Sequence, residues 1–380
     1  MIVFDDIERP GVEAHPYGES DFVYTNRSGR EEAKKVRALV EDWLTRYPED
    51  DRPSLVQRLR SPIDTAHRGA FLELLLHELF LRRGHKVIDV EPEIPGTTKK
   101  PDFLMETPKG ERYYLEAVLA RGLTKEAQGA EQRLNSALNA IDSTPSPDHF
   151  LDLRTNGTPR TPVPINKLQR ALKQWIAGLP EGNAARTAAP FKYKHDGLEI
   201  VLTAWPKHRR GVTRSIGARH FGASNVMRAE SMKDAVEFKA RKYGKALSYP
   251  MLVAVAGYDN FNFDTDAIDV LLGTEISVVH KDDEGKAVVR HGRNPDGVWH
   301  DETGPRRRVL SGVLWFKQID PWNFAARAPV IVANPWAART MPRLDVGLRE
   351  LHISQEAETE YPGGTLGQAL ALPDNWPEDT

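Results

Sequence analysis

Pro101-Asp-Phe-Leu-Met-Glu-Thr107, Pro108-Lys-Gly110 and Glu111-Arg-Tyr-Tyr-Leu-Glu116-Ala-Val-Leu119 form the stretch on which the fold reading turns. Its two arms, Asp102 to Thr107 and Arg112 to Leu119, are rich in β-branched and aromatic residues, as strands are. The Pro-Lys-Gly between them suits a three-residue hairpin loop with Gly110 in the left-handed position. If Thr107 faces Glu111, the register carries Asp102 opposite Glu116, and opposed residues share one side of a sheet. Two carboxylates so placed repel unless something offsets their charge.

Upstream of the hairpin, a third extended segment is predicted over Lys86 to Glu93. It follows a helix from Asp64, a good N-cap residue, to Arg83, with Gly84 as its stop signal. The centre of that helix, Gly69-Ala-Phe-Leu-Glu73-Leu-Leu-Leu-His-Glu-Leu-Phe80, is apolar apart from Glu73, His77 and Glu78. An earlier amphipathic helix is predicted over Arg27 to Tyr47, because Ala33, Val36, Leu39, Val40, Trp43 and Leu44 recur at three- and four-residue spacing. Downstream, residues 121–142 continue as helix, and Thr144 to Pro164, with five prolines, reads as loop. Asn166 to Leu179 reads as helix, with Leu168, Leu172, Trp175 and Ile176 on one face. Gly197 to Trp205 reads as a buried strand, and a basic loop containing Lys207, Arg209, Arg210 and Arg214 extends to Arg219 and His220. Ser231 to Leu247 reads as helix and Met251 to Ala256 as an apolar strand. Residues 258–340 read as mixed strand and loop, and Pro342 to Thr380 as a polar acidic tail with little order.

Composition narrows the functions available. The chain has 380 residues, 40% of them apolar, and no cysteine. Disulfides, thiolate nucleophiles, cysteine zinc sites and iron–sulfur clusters are thereby excluded, and any metal must sit on oxygen or imidazole. No apolar run approaches the length of a membrane span, and the acidic MIVFDDIERP does not resemble a secretory signal, so a cytoplasmic location is expected. The 52 basic and 54 acidic side chains nearly cancel, but unevenly: residues 186–245 hold 14 Lys or Arg against 5 Asp or Glu, and residues 341–380 hold 2 against 8.

The order is helix with Glu73, strand, strand opening on Pro101-Asp102, strand with Glu116, then an insertion, a helix and a strand. It resembles the PD-(D/E)XK nuclease superfamily, over roughly residues 64–120 and 230–257. The resemblance implies an α/β (α+β) fold with a restriction-endonuclease-like core, a four-stranded mixed sheet flanked by helices. Around this core lie an N-terminal helical segment (1–60), an insertion with the basic loop (143–229), a C-terminal extension (258–340) and the acidic tail (341–380). The core itself falls in two parts, 61–142 and 230–257. The resemblance also implies Mg²⁺, or Mn²⁺, on Asp102 and Glu116 with Glu73 assisting. Such an ion polarises a phosphate and lowers the pKa of a bound water.

The sequence departs from the family at Glu116-Ala117-Val118, where valine occupies the usual lysine position. A Gln-x-x-x-Tyr motif on the second core helix marks some members, notably the RecB-like group. Here Lys239-Ala-Arg-Lys242-Tyr243 has the same spacing with lysine first, which makes Lys239 the candidate replacement and Lys242 and Lys100 its rivals. The implied function is a metal-dependent nuclease on DNA, with RNA as an alternative substrate. Host defence, restriction or repair are the roles common in the superfamily. Lys207, Arg209, Arg210, Arg214, Arg219, Lys242 and Tyr243 would contact nucleic acid, and a homodimer or a partner-driven effector is compatible with this reading. The alternative is a catalytically inactive relative that binds nucleic acid or a protein.

Plainer readings compete at each position. Glu73 can mark the solvent edge of an amphipathic helix, Asp102 can be a turn residue, and the two acids can be a glycosidase pair. His77-Glu78 fails the zinc-protease pattern, because Leu81 stands where its second histidine belongs. Arg306-Arg307-Arg308 forms a second basic cluster. Trp299, Trp315, Trp322 and Trp336 can stack on bases but are more commonly core residues.

Overall fold

The computed structural model describes residues 2–120, 125–207, 215–221, 226–243, 247–257, 267–281, 287–353, 358–373 and 375–378. The chain divides into two compact units, one of residues 1–13, 20–122 and 225–380 and the other of 14–19 and 123–224. No helix among the described residues is long and apolar enough to cross a membrane.

The first unit begins with helices α1 (Asp21–Arg27), α2 (Glu31–Arg46), α3 (Arg52–Leu59) and α4 (Asp64–Arg82), then strands β1 (Lys86–Val90), β2 (Phe103–Glu106) and β3 (Arg112–Ala120). The second unit holds α5 (Lys125–Asp142), β4 (His149–Asn156), α6 (Ile165–Ala177), β5 (Phe191–His195), β6 (Leu198–Pro206) and β7 (Ile216–Phe221). The chain then returns to the first unit with α7 (Val226–Tyr243), β8 (Met251–Gly257), α8 (Ala267–Leu272), β9 (Glu275–Lys281) and β10 (Ala287–Arg293). The short β11 (His300–Asp301) and β12 (Gly304–Pro305) follow, then β13 (Gly312–Gln318), β14 (Val330–Ala333), β15 (Arg349–Ile353), β16 (Glu358–Tyr361) and α9 (Leu366–Ala369).

The first unit is mixed α/β, built on one eight-stranded sheet of order β1-β2-β3-β8-β13-β14-β15-β16. β1, β2 and β3 are antiparallel neighbours, whereas β8 runs parallel to both β3 and β13. Both faces are covered. Phe103, Met105, Leu115, Leu252 and Ala254 join the core that includes Phe71, Leu72 and Leu75 of α4. Tyr114, Met251, Val253 and Val255 join the core that includes Val236 and Ala240 of α7. A strand buried on both faces needs no polar alternation, which accounts for the unbroken apolar run of β8.

The structure differs from the sequence reading in five places. The helix predicted over Arg27 to Tyr47 is α2, which begins only at Glu31; Arg27 ends the separate α1, and Ser28-Gly29-Arg30 between them are not helical. A Cβ on Gly29 would lie 1.9 Å from the Arg9 carbonyl oxygen, so the backbones approach too closely for any side chain there. Asp64 is the first helical residue and not the cap; its carboxylate accepts the Asp21 amide at 2.8 Å, and Ile63 precedes the helix. The proline-rich stretch read as loop contains β4, whose alternating burial marks a one-sided strand. Residues 216–221, taken with the basic loop, form β7, which pairs in parallel with β4. Residues 341–380 are not a loose tail: they supply β15 and β16 and bury Leu344, Val346, Leu348, Leu366 and Leu370 in the α4-side core.

In the second unit the sheet order is β5-β6-β4-β7. Leu138 of α5 and Leu168 and Leu172 of α6 pack against Leu151, Leu153, Ile200 and Leu202. β6, read as a buried strand, is buried on that side only.

Candidate active site

The loop at Gly110, at φ +85°, closes with the Thr107 amide donating to the Glu111 carbonyl at 2.8 Å. The ladder then pairs Glu106 with Arg112, Met105 with Tyr113, Leu104 with Tyr114 and Phe103 with Leu115. One further step sets Asp102 opposite Glu116, as the hairpin register required. Both fall on the α7 side of the sheet, the side to which Leu104 and Tyr114 also point.

Glu116 is fully buried and fully engaged. Lys239 and Lys242 both donate to its Oε1, the latter at 2.8 Å, and the Tyr243 hydroxyl meets its Oε2. All three donors sit on the last turn and a half of α7, where residues three and four apart share a face. Lys242 also reaches the Lys100 carbonyl at 3.2 Å, and the Tyr243 hydroxyl lies 2.9 Å from the same oxygen. The Lys100 amine points elsewhere, to Glu93 at 3.6 Å. Of the three lysine candidates, Lys239 and Lys242 therefore reach the carboxylate and Lys100 lends only its backbone. Burial and the Glu116 charge raise the Tyr243 phenol far above its ordinary value, so it stays protonated as a donor.

Asp102 accepts the Ala117 amide at 2.5 Å, and its own carbonyl accepts the Glu91 amide at 3.0 Å. Burial first, then the charges of Glu116 and Glu73, push its carboxyl up to about 8, against the opposing pull of Lys239 and the Ala117 amide. Burial and the neighbouring acids thus disfavour its charged form, a preference that a bound divalent cation would reverse. Magnesium commonly takes only one or two carboxylates and fills its shell with water and phosphate, so Asp102 and Glu116 are donors of the right type and number, and Glu116 would take the ion by giving up protein donors. No cluster of three or more acidic or imidazole ligands occurs among the described residues.

Glu73 rises from α4. Its carboxylate is clamped by the Arg58 guanidinium, at 2.5 and 3.0 Å, and by the Tyr47 hydroxyl at 2.6 Å. It is thus neither at a solvent edge nor without partners, and it acts on Asp102 through its charge. Arg58 and Tyr47 were missed from the sequence. A helix at Arg52–Leu59 with Pro53 in its first turn was the available signal.

Of the residues predicted to contact nucleic acid, Lys242 and Tyr243 lie at Glu116, and the others belong to the second unit. Lys207 follows β6, its amine donating to the Ser146 carbonyl at 2.9 Å and lying 4.9 Å over the Phe150 ring. Arg209, Arg210 and Arg214 lie outside the described residues, and Arg219 is a β7 strand position. The second cluster is engaged within the protein: Arg306 pairs with Asp301 at 2.6 Å, Arg307 with Glu237 at 3.0 Å, and Arg308 donates to the Trp336 carbonyl at 2.9 Å. Trp299 and Trp315 are core residues. His77 is buried against Tyr47, ring centroids 4.9 Å apart.

Comparison of the chain with protein families, characterised proteins and solved structures finds no match.

Proposed function

We propose that the first unit is a metal-dependent phosphodiesterase acting on DNA, or alternatively RNA, on a restriction-endonuclease-like core made of α4, β1, β2, β3, α7 and β8. The observation that carries this reading is the convergence on Glu116 of two lysines from α7, directly across the sheet register from Asp102. Those amines supply the positive charge that Val118 cannot.

Asp102 and Glu116 would hold the ion, which when bound places positive charge on the phosphate and acidifies a water. Lys239 and Lys242 set two ammonium groups where negative charge gathers on the phosphoryl oxygens, fixed in advance by α7 and so needing no reorganisation during reaction. Tyr243 orients Glu116, and Arg58 with Tyr47 orients Glu73.

A catalytically silent nucleic-acid binder is the second reading, favoured by one observation: both Glu116 oxygens already have protein donors. Nicking of supercoiled plasmid after chelation and magnesium add-back separates the two. The phosphodiesterase reading expects cleavage to return for the wild type and not for Asp102→Ala, with circular dichroism unchanged. Equal cleavage by Asp102→Ala would sink the site, and salt-sensitive binding without any cleavage would favour the silent binder.

A further inference from the structure

We propose that the face of the second unit's sheet opposite α5 and α6 is a binding site for single-stranded nucleic acid. α5 and α6 cover the other face, to which Leu151, Leu153, Ile200 and Leu202 point. Alternation therefore turns Phe150, Asp152 and Arg154 of β4, Val201, Thr203 and Trp205 of β6, and Lys192 of β5 toward the opposite face, where the short 3-10 helix Gly182–Thr187 sets Arg186 against Trp205.

The ladder arranges these side chains in rows. Phe150 pairs with Trp205, so two aromatic residues are neighbours at one end, with the Lys207 amine 4.9 Å from the Phe150 ring centroid. Trp205 is 46% exposed, and the Arg186 guanidinium lies 4.5 Å from its ring centroid. Two rows along, Arg154 pairs with Val201 and Val201 with Lys192, which sets two exposed cations on neighbouring sides of one aliphatic residue. The rows with rings and cations are roughly 14 Å apart, four residues of strand at about 3.4 Å each. Rings that stack on bases at one end, with cations for phosphates at the other, are the chemistry of a single strand laid along a sheet.

Charge favours the same occupant. The second unit holds 15 Lys or Arg against 9 Asp or Glu, whereas the first holds 37 against 45. A polyanion is therefore drawn to the smaller unit despite a nearly neutral chain. A protein partner fits poorly, because Asp152, Thr203 and Arg154 break up any continuous apolar patch. A duplex fits poorly too, since its paired bases cannot lie on Phe150 and Trp205.

The site is separable from cleavage, so binding is measured on the full chain in chelator. Fluorescence anisotropy of labelled oligothymidine, oligouridine and a DNA duplex is read for wild type, Trp205→Ala, Trp205→Phe and Arg154→Ala/Lys192→Ala. Tighter binding of either single strand than of duplex is expected. Trp205→Ala should weaken it at least about 5-fold, the low end for loss of one stacked base, and Trp205→Phe should restore it. Removing the two cations should lower the salt slope by about 1.4.

Tighter duplex binding, no binding, or equal affinity in wild type and Trp205→Ala overturns the assignment. Trp205-dependent binding without cleavage by any variant would uphold it while removing the phosphodiesterase reading. Cleavage with binding indifferent to Trp205 would do the reverse.

Discussion

Removing Lys239 and Lys242 together should destabilise the first unit by more than the two single losses combined. Glu116 is fully buried, and its Oε1 is shared by both amines. After Lys239→Ala, Lys242 remains at 2.8 Å and Tyr243 still donates to the other oxygen, so each single change should cost about 1–2 kcal/mol. In the double variant a buried carboxylate is left with no cation, and breaking such a pair costs about 3–5 kcal/mol. Adding Glu116→Gln removes the stranded charge and should recover most of that loss. Each kcal/mol lowers the midpoint of a unit this size by about 2–4 °C, so the double variant should melt roughly 10 °C early. Thermal denaturation followed by circular dichroism reads the wild type and all four variants. Strictly additive losses, with no recovery from Glu116→Gln, would refute the shared-carboxylate arrangement.

Burial pushes His77 down to about 4, and its Nδ1 has no hydrogen-bond partner among the described residues. The unfolded chain takes up a proton near pH 6.5 that the fold refuses until about pH 4, so stability falls as pH drops through that window. The full loss is about 3 kcal/mol, and His77→Phe should flatten this part of a melting-temperature profile; parallel profiles would contradict it. Gly29→Ala should destabilise by several kcal/mol, because the added carbon meets the Arg9 carbonyl at 1.9 Å, and an unchanged urea midpoint would disprove that close approach. Truncation after residue 340 should leave no cooperative transition, since Leu344, Val346, Leu348, Leu366 and Leu370 all leave the core. A sharp melt of the truncated chain would show the tail to be dispensable.

The hairpin was legible because its information is local: Gly110 sets the loop, and the loop fixes every pair back to Asp102 and Glu116. Lys239 and Tyr243 were legible for the same reason, as a four-residue spacing on one helix. What escaped depends on distant partners. Arg58 and Tyr47 reach Glu73 from other helices, and Gly29 interrupts an amphipathic pattern because a remote carbonyl lies against it. The acidic average of residues 341–380 concealed isolated leucines and valines that anchor β15 and α9. The prolines around β4 flank the strand without entering it, so a count of prolines misjudged a clear alternation.

Magnesium-dependent initial rates on labelled single-stranded and duplex oligonucleotides, for wild type, Asp102→Ala and Lys239→Ala/Lys242→Ala, test the central claim most directly. The assay temperature must lie below the double variant's melting midpoint. The phosphodiesterase account predicts turnover by the wild type that chelator abolishes, and none above background for either variant. Wild-type rates retained in Asp102→Ala, or in the folded double-lysine variant, would contradict it.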